Sequence, residues 1–242
     1  MATGVDDAVL LVAPPLGGAD FVADLLSRAD EAFTVTETEA ASLARYAVTD
    51  NIDAARALLQ AATRRSTTRR RLIYLVDCQN VAWWVGALPS ATFVYVHRNA
   101  VTHARKILTA IRYRKHDPHI VLEDLAVKHW ASQTTMLLDA LGALPEERRL
   151  VFCYDQLIAN PQAELTSLAD ALRLTTRGRP ERLRLQTASN AARRDEQRAK
   201  DFEEHMRVVA DVASRAAEAC KASASVRAKL NPRAQLPALA QP

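Results

Sequence analysis

Short apolar runs alternate along the chain with longer stretches in which apolar residues recur at helical spacing. The short runs contain many β-branched residues and end where proline, polar or charged residues follow. They lie at residues 8–13, 33–36, 72–76, 93–97 and 150–154. Because strands that alternate with helices form parallel sheets covered on both faces, this pattern predicts an α/β fold with a parallel sheet flanked by helices.

Between and after these runs, the spacing of apolar residues predicts helices. The clearest cover residues 19–28, 39–48, 53–65, 120–141 and 161–172, and the last of these opens on a proline, as the first turn of a helix often does. A further seam begins beyond residue 191 and repeats every three or four residues. Its members are Phe202, Met206, Val209, Ala213, Ala216 and Cys220.

The change in pattern predicts three parts. An α/β domain spans residues 1–190, a C-terminal helical extension spans 191–230, and a disordered tail with several prolines spans 231–242. The seam of the extension covers fewer than three heptads, which favours a helix docked on its own domain. A homodimer through the C-terminal helix is the alternative.

Composition narrows the class of protein. The chain has 242 residues, 49% of them hydrophobic and 25% charged, which is typical of a soluble globular protein. The first ten residues carry acids where a secretory signal has basic residues, and no apolar stretch reaches the length of a membrane span. Three widely spaced cysteines without a CxxC pair argue against a disulfide framework or a structural zinc site. We therefore expect a cytoplasmic protein without a membrane partner or a metal.

The net charge of +4 is unevenly distributed. Residues 1–60 carry 10 acidic and 3 basic residues, whereas residues 61–120 carry 11 basic and 2 acidic residues. Such a basic block suits an anionic ligand such as a nucleotide, a phosphate or nucleic acid. A solvated helix face followed by a basic loop would give the same count.

The loop after the first predicted strand has the sequence P-P-L-G-G-A-D-F and leads directly into a helix. Backbone N–H groups at a helix N-terminus favour anions, so a loop of this kind can hold a phosphate. It is not a Walker A loop, because no Lys-Ser/Thr pair follows the glycines. This excludes an ATPase or GTPase of the usual kind.

Three further segments, taken in order with this loop, resemble the sulfotransferase family that uses 3′-phosphoadenosine 5′-phosphosulfate (PAPS). They are Y-L-V-D-C-Q-N, F-V-Y-V-H-R-N-A, and V-F-C-Y-D-Q-L-I-A-N-P-Q-A-E-L-T-S-L-A-D-A-L-R-L. The last is similar to the family's R-Y-E-D-L-L-A-D-P-x-A-E-L-x-x-L-A. The resemblance covers residues 8–173 and implies a sulfotransferase-like fold, related to that of P-loop NTPases.

The resemblance also implies roles for single residues. Gly17 and Gly18 would offer backbone donors to the 5′-phosphosulfate, while Arg98 and Lys106 would hold the 3′-phosphate. Tyr154 would line the nucleotide site, and Glu37 would be the catalytic base, with the opening of the next helix as its alternative role. These residues are Gly17, Gly18, Glu37, Arg98, Lys106 and Tyr154.

The loop departs from the family's P-R-S-G-T-T at the ligand contacts. Leu16 stands where the family has its basic residue, and Gly17, Ala19 and Asp20 stand where it has hydroxyls. Lys106 replaces a serine. The 5′-phosphosulfate loop is therefore degenerate, although Gly18 and Arg98 are kept.

Three functions follow from these observations. The resemblance implies transfer of a sulfuryl group from PAPS to a hydroxyl or amine of a small-molecule acceptor or biosynthetic intermediate. The altered loop allows a protein of the same fold that no longer uses PAPS and binds or modifies another ligand. A non-catalytic interaction or nucleic-acid-binding protein is the third alternative, but few aromatic residues accompany the arginines and no recognition motif is present.

Overall fold

The computed structural model describes residues 8–27, 32–65, 71–112, 122–174 and 206–230. All five predicted strands are confirmed, and they form one parallel sheet in the order β2-β3-β1-β4-β5. Their bounds are β1 Val9–Ala13, β2 Ala32–Thr34, β3 Arg71–Asp77, β4 Thr92–His97 and β5 Arg149–Cys153. The predicted α/β fold class is confirmed.

Helices occupy both faces of the sheet. They are α1 Ala19–Ser27, α2 Glu37–Val48, α3 Ile52–Arg65, α4 Val81–Ala87, α5 Ala100–Arg112, α6 Leu122–Gly142, α7 Tyr154–Ala159, α8 Pro161–Ala171 and α9 Ala210–Leu230. The five helices whose bounds the spacing predicts, α1, α2, α3, α6 and α8, agree with those bounds to within a few residues. As predicted, a proline stands in the first turn of α8. No helix in the described ranges is long and apolar enough to cross a membrane.

The central strand β1 is buried on both faces, which explains why its sequence is uniformly apolar. Leu10 and Val12 face a core built mainly with α2, α3, α4 and α6. Val9 and Leu11 face a second core built with α1 and α8. The loop that follows β1, residues 14–18, is therefore anchored at the centre of the sheet.

Helix α9 is docked on the domain that precedes it. Ala216 and Cys220 from the predicted seam are buried, as are Met206 and Val209 just before the helix, while Phe202 lies outside the described residues. The prediction of a docked helix is confirmed. The alternative of a homodimer through this helix is not supported, because its apolar face is covered within the chain.

Polar contacts fix α9 along the outer strand β5. The backbone N–H of Val151 donates to Ser223 Oγ at 2.6 Å, so the side chain of α9 satisfies a donor of this edge strand. Arg227 is 2% exposed, pairs with Glu164 at 3.2 Å and lies 5.2 Å from the centre of the Phe152 ring. These contacts explain why α9, although it comes late in the chain, packs directly against the sheet.

The cysteine spacing argues against a disulfide framework, and the structure joins a single pair of the three cysteines. Cys153, at the end of β5, is bonded to Cys220 of α9 across 67 residues, with 6.2 Å between the two Cα atoms. Sequence spacing gave no sign of this pair, because the docking of α9 on β5 brings them together. Cys78 is outside the disulfide and is buried, as expected for a small apolar residue at a strand end, and its Sγ–H donates to Gln133 Oε1.

Strand order determines which loops meet. β1, β4 and β5 are neighbours, so the loops that follow them lie together at the carboxyl edge of the sheet. In open parallel sheets this edge is where ligands bind. β2 is separated from β1 by β3, which places the start of α2 farther along the same edge.

Candidate functional site

The loop between β1 and α1 is a tight turn in an uncommon backbone conformation. The Gly17 N–H donates to the carbonyl oxygen of Pro14 at 2.9 Å, which closes the turn. Leu16 and Gly18 both have positive φ, 67° and 93°. The turn therefore uses the Gly17 N–H internally, although the resemblance assigns that donor to a phosphate.

Close contacts leave no room for a side chain at Gly17 or Gly18. A Cβ on Gly17 would lie 2.7 Å from Ala13 Cβ, and a Cβ on Gly18 would lie 2.5 Å from Tyr154 Cε2. The Gly18 backbone is thus packed directly against the aromatic ring that follows β5. This contact brings two of the residues singled out by the resemblance into one place.

Tyr154 is the first residue of α7, although its apolar surroundings had predicted a strand. Its ring makes an edge contact with Phe21 of α1, and the guanidinium of Arg98 lies 4.9 Å from the ring centre. This distance is typical of a cation–π interaction. Tyr154 therefore holds Arg98 beside the loop.

Arg98 has a free hydrogen-bonding group. It follows β4 directly, and its Nε is buried without a hydrogen-bond partner in the part of the chain that the structure describes. A buried donor without a partner costs about 1–3 kcal/mol. An anion at this position would remove that cost, so the site is suited to a phosphate.

Helix α5 contributes Lys106 to the same cluster. Burial and the neighbouring guanidinium of Arg98 lower the pKa of Lys106, while the Asp20 carboxylate opposes this shift. Lys106 therefore lies within electrostatic reach of both Arg98 and Asp20. Arg98 and Lys106 are thus neighbouring cations with an acid from α1 nearby, and their role in holding a phosphate stays a prediction.

His103, also on α5, holds the loop between β1 and α1 through a hydrogen bond. It is 1% exposed, and its Nε2–H donates to the Pro15 carbonyl oxygen at 2.7 Å. Burial lowers the pKa of His103 to about 4, and the nearby cations Arg98 and Lys106 add to this effect. The imidazole is therefore neutral near pH 7 and positions the loop.

This buried imidazole predicts a pH dependence of stability. Because the folded pKa of His103 is depressed below the usual 6.5, its stabilising effect is present above pH 6.5 and is lost as pH falls toward 4. We expect the free energy of unfolding to fall by about 1 kcal/mol between pH 6.5 and 5.5. In His103→Gln, whose amide still donates but does not titrate, urea denaturation should show a flatter profile. An identical profile in both proteins would contradict this assignment.

Asn99 links β4, α5 and α7. Its side-chain oxygen accepts from the Thr102 N–H at 3.2 Å and so caps α5. Its own N–H donates to Asp155 at 2.5 Å. These bonds fix the chain directly after Arg98 and define the direction in which α5 leaves the sheet.

Glu37 is exposed and opens α2, next to the edge strand β2. Within the described ranges, no hydrogen bond or ion pair joins Glu37 to the loop between β1 and α1, so its catalytic role stays a prediction. The adjacent acid Glu39 serves the helix: it forms a capping box with Thr36 and a 2.6 Å ion pair with Arg65. The alternative role, opening the helix, is therefore confirmed for Glu39, and one arginine of the basic block is held within the fold.

An apolar cavity of about 430 Å³ lies beside the loop, and sequence reasoning missed it. Its walls come from the loop itself, α5 and α6. The lining residues are Pro15, Leu16, Ile107, Ala110, Ile111, Leu125 and His129. Their positions in sequence gave no signal, because the cavity exists only once α5 and α6 pack over the loop.

The described residues have a second cavity but no cluster of metal-ligating side chains. A second cavity, of about 370 Å³, lies between β5, α6 and α9 and includes none of the residues that the resemblance implies. Within the described ranges, no group of three or more histidine, cysteine or acidic side chains is arranged to hold a metal ion.

Comparisons with known proteins identify the family and the fold. Residues 20–178 match the model of the sulfotransferase family, a range that begins at Asp20, the last altered position of the loop. No curated protein matches the chain significantly in sequence.

Solved structures share the fold. The sulfotransferase from Alicyclobacillus acidocaldarius has a TM-score of 0.58 at 15% identity, covering 91% of this chain and 97% of that one. The sulfotransferase domain from the curacin biosynthetic pathway has a TM-score of 0.51 at 15% identity, covering 69% and 74%. That of the Synechococcus PCC 7002 olefin synthase has a TM-score of 0.50 at 16% identity, covering 69% and 72%. Since the family model also matches more than half of its length, the chain belongs to the sulfotransferase family.

Proposed function

We propose that this protein transfers a sulfuryl group from PAPS to a hydroxyl or amine of a small-molecule acceptor. Arg98 carries the proposal: its buried Nε has no partner among the described residues, and it stands beside Lys106. Two neighbouring cations with an open donor favour a ligand bearing a phosphate. By resemblance this ligand is the 3′-phosphate end of PAPS.

The transfer balances as follows. The bond between sulfur and the oxygen of the 5′-phosphate breaks while the acceptor oxygen or nitrogen forms a new bond to sulfur. The acceptor's proton passes to a base, and 3′-phosphoadenosine 5′-phosphate (PAP) is the product. Positioning and electrostatic stabilisation of the charge on the leaving phosphate would supply most of the acceleration.

The role that we propose for each residue follows from its position in the site. Arg98 and Lys106 would bind the 3′-phosphate, Tyr154 would hold Arg98 in place, and Gly18 would let the loop approach the nucleotide. Glu37 is proposed as the base by resemblance. The loop itself carries no basic residue for the sulfate end, because Leu16 occupies that position.

Transfer of radioactive sulfate from labelled PAPS to a panel of phenols, alcohols and amines tests this proposal. We expect a labelled product with at least one acceptor, and a loss of about 100-fold in rate for Glu37→Gln, since general bases contribute about 10²–10⁴. Glu147→Gln, which removes an acid between α6 and β5, is the control and should keep the rate. An unchanged rate in Glu37→Gln would exclude Glu37 as the base.

A second function is favoured by the loop. Leu16 and Asp20 together replace a cation and a hydroxyl, and Asp20 lies close enough to Lys106 to oppose the lowering of its pKa. Such a loop suits a member of the family that no longer uses PAPS and that binds or modifies another ligand in the same cleft. The acid would then compete with any phosphate at this end of the site.

The double variant Leu16→Arg with Asp20→Thr separates the two functions. If the protein uses PAPS weakly because of its loop, calorimetry should show PAPS binding at least tenfold tighter in the variant, because one charge-assisted hydrogen bond contributes about 1.5–3 kcal/mol. An unchanged PAPS affinity in the variant would mean that the cleft is suited to another ligand.

A further inference from the structure

The cavity beside the loop has an unusual lining for a surface so close to a cationic cluster. Leu16 is 49% exposed and Leu125 is 39% exposed, and both are among the large hydrophobic side chains that the described residues leave in contact with solvent. Both line this cavity, together with Ile107 and Ile111. Apolar surface gathered in a concave site marks a ligand-binding position.

Backbone conformation adds a second, independent observation. Leu16 has φ of 67°, in the left-handed region that residues other than glycine rarely adopt. Such conformations are energetically unfavourable and tend to be kept where they serve a function. Here the conformation belongs to the turn closed by Gly17 and held by His103, and it places an apolar wall where the family has a cation.

One polar side chain faces this apolar lining. His129 of α6 lines the cavity, and among the residues that the structure describes it is the only titratable side chain to do so. An imidazole donates or accepts a hydrogen bond according to its tautomer. The cavity thus combines an apolar body with one position that can orient a hydroxyl or an amine.

We propose that this cavity binds the acceptor, and that the acceptor is a compact, largely apolar molecule whose hydroxyl or amine faces His129. Its volume of about 430 Å³ falls within the range of small-molecule sites and admits a compound of two fused rings. Sugars and charged peptides do not match a lining with one polar side chain. The assignment as acceptor rests on the proposed function; the assignment as a site for apolar alcohols does not.

Equilibrium titration with 2-naphthol, followed by its intrinsic fluorescence, tests the site without PAPS. Leu125→Asp places a charge in the cavity, and we expect it to weaken 2-naphthol binding at least tenfold, since an unpaired charge in an apolar site costs more than about 1.4 kcal/mol. Ile158→Asp is the matched control, because Ile158 is also 39% exposed and does not line the cavity. It should bind as the unmodified protein does.

A second variant avoids the introduced charge. Ala110→Phe fills the cavity from an exposed position on α5, and it should weaken binding to a similar extent. His129→Phe keeps an apolar wall but removes the hydrogen bond. It should abolish the preference for 2-naphthol over naphthalene, which we expect to be about fivefold in the unmodified protein.

The outcomes are distinct from those of the proposed function. Absence of 2-naphthol binding, or equal binding by Leu125→Asp, Ala110→Phe and the Ile158→Asp control, would overturn the proposed site. An unchanged preference in His129→Phe would remove His129 from it. Failure of PAP to bind while 2-naphthol binds at this cavity would instead reject the proposed transfer and leave an apolar-ligand site.

Discussion

Gly18→Ala is expected to lower the free energy of unfolding by about 4 kcal/mol and to abolish nucleotide binding. Two effects combine at this position. The backbone has φ of 93°, which strains any side chain, and the new Cβ would lie 2.5 Å from the Tyr154 ring. Because that ring also holds Arg98, relief of the clash would displace the cation from the loop. Urea denaturation and calorimetry with PAP measure the two consequences.

Two comparisons separate strain from contact. Gly86→Ala is the matched control: a Cβ on Gly86, in α4, meets nothing within 4 Å, so it should raise stability by about 0.5–1 kcal/mol. In a Tyr154→Ala background the contact is gone, and Gly18→Ala should then cost about 2 kcal/mol. A loss of less than about 1 kcal/mol in the native background would show that the loop does not pack on Tyr154 as described.

Arg98→Met is expected to weaken PAP binding by about 100-fold while leaving the fold intact. A charge-assisted hydrogen bond contributes about 1.5–3 kcal/mol, and each 1.4 kcal/mol corresponds to a factor of ten in affinity. Methionine keeps much of the side chain's length, so packing against Tyr154 is retained while the donor is removed. Calorimetry at constant ionic strength measures the change.

Removal of a positive charge far along the sequence provides the control for this variant. Arg45→Met in α2 lowers the net charge by the same amount, and Arg45 stacks on its own neighbour Tyr46 rather than on a residue of the loop. It should change the affinity for PAP by less than about twofold, as expected for a screened surface charge. Equal weakening by both variants would mean that general charge, rather than Arg98, attracts the nucleotide.

Much of the fold could be predicted from the sequence, because parallel strands buried on both faces leave a strong local pattern. All five apolar runs became strands, and β1 shows why: Val9 to Val12 are all fully buried between the two helical layers. The end of β5 was placed one residue too late, since Tyr154 is as apolar as the strand before it but begins a helix. Periodicity separates strand from helix poorly at such a boundary.

The site was predictable in part. Gly18, Arg98, Lys106 and Tyr154 were identified by resemblance, and the structure brings them together at the carboxyl edge of β1, β4 and β5. Glu37 was identified in the same way, but the structure joins it to none of them by a contact. Sequence order places it after β2, and strand order then puts β3 between that strand and the loop.

The features that sequence missed depend on tertiary packing. Cys153 and Cys220 meet because α9 lies along β5, and the apolar cavity forms because α5 and α6 pack over Leu16. The internal use of the Gly17 N–H depends on a turn that the glycine pair does not specify. In each case residues far apart in sequence, or a single dihedral angle, decide the outcome.

The central claim is that Arg98 and Lys106 form a binding site for the 3′-phosphate of the nucleotide. Calorimetric titration of the unmodified protein with PAP, with adenosine 5′-phosphate as the comparison ligand, tests it most directly. The account predicts saturable one-to-one binding of PAP, at least tenfold tighter than that of adenosine 5′-phosphate, because only PAP carries the 3′-phosphate. The absence of saturable binding at millimolar PAP, or equal affinities for the two nucleotides, would contradict it.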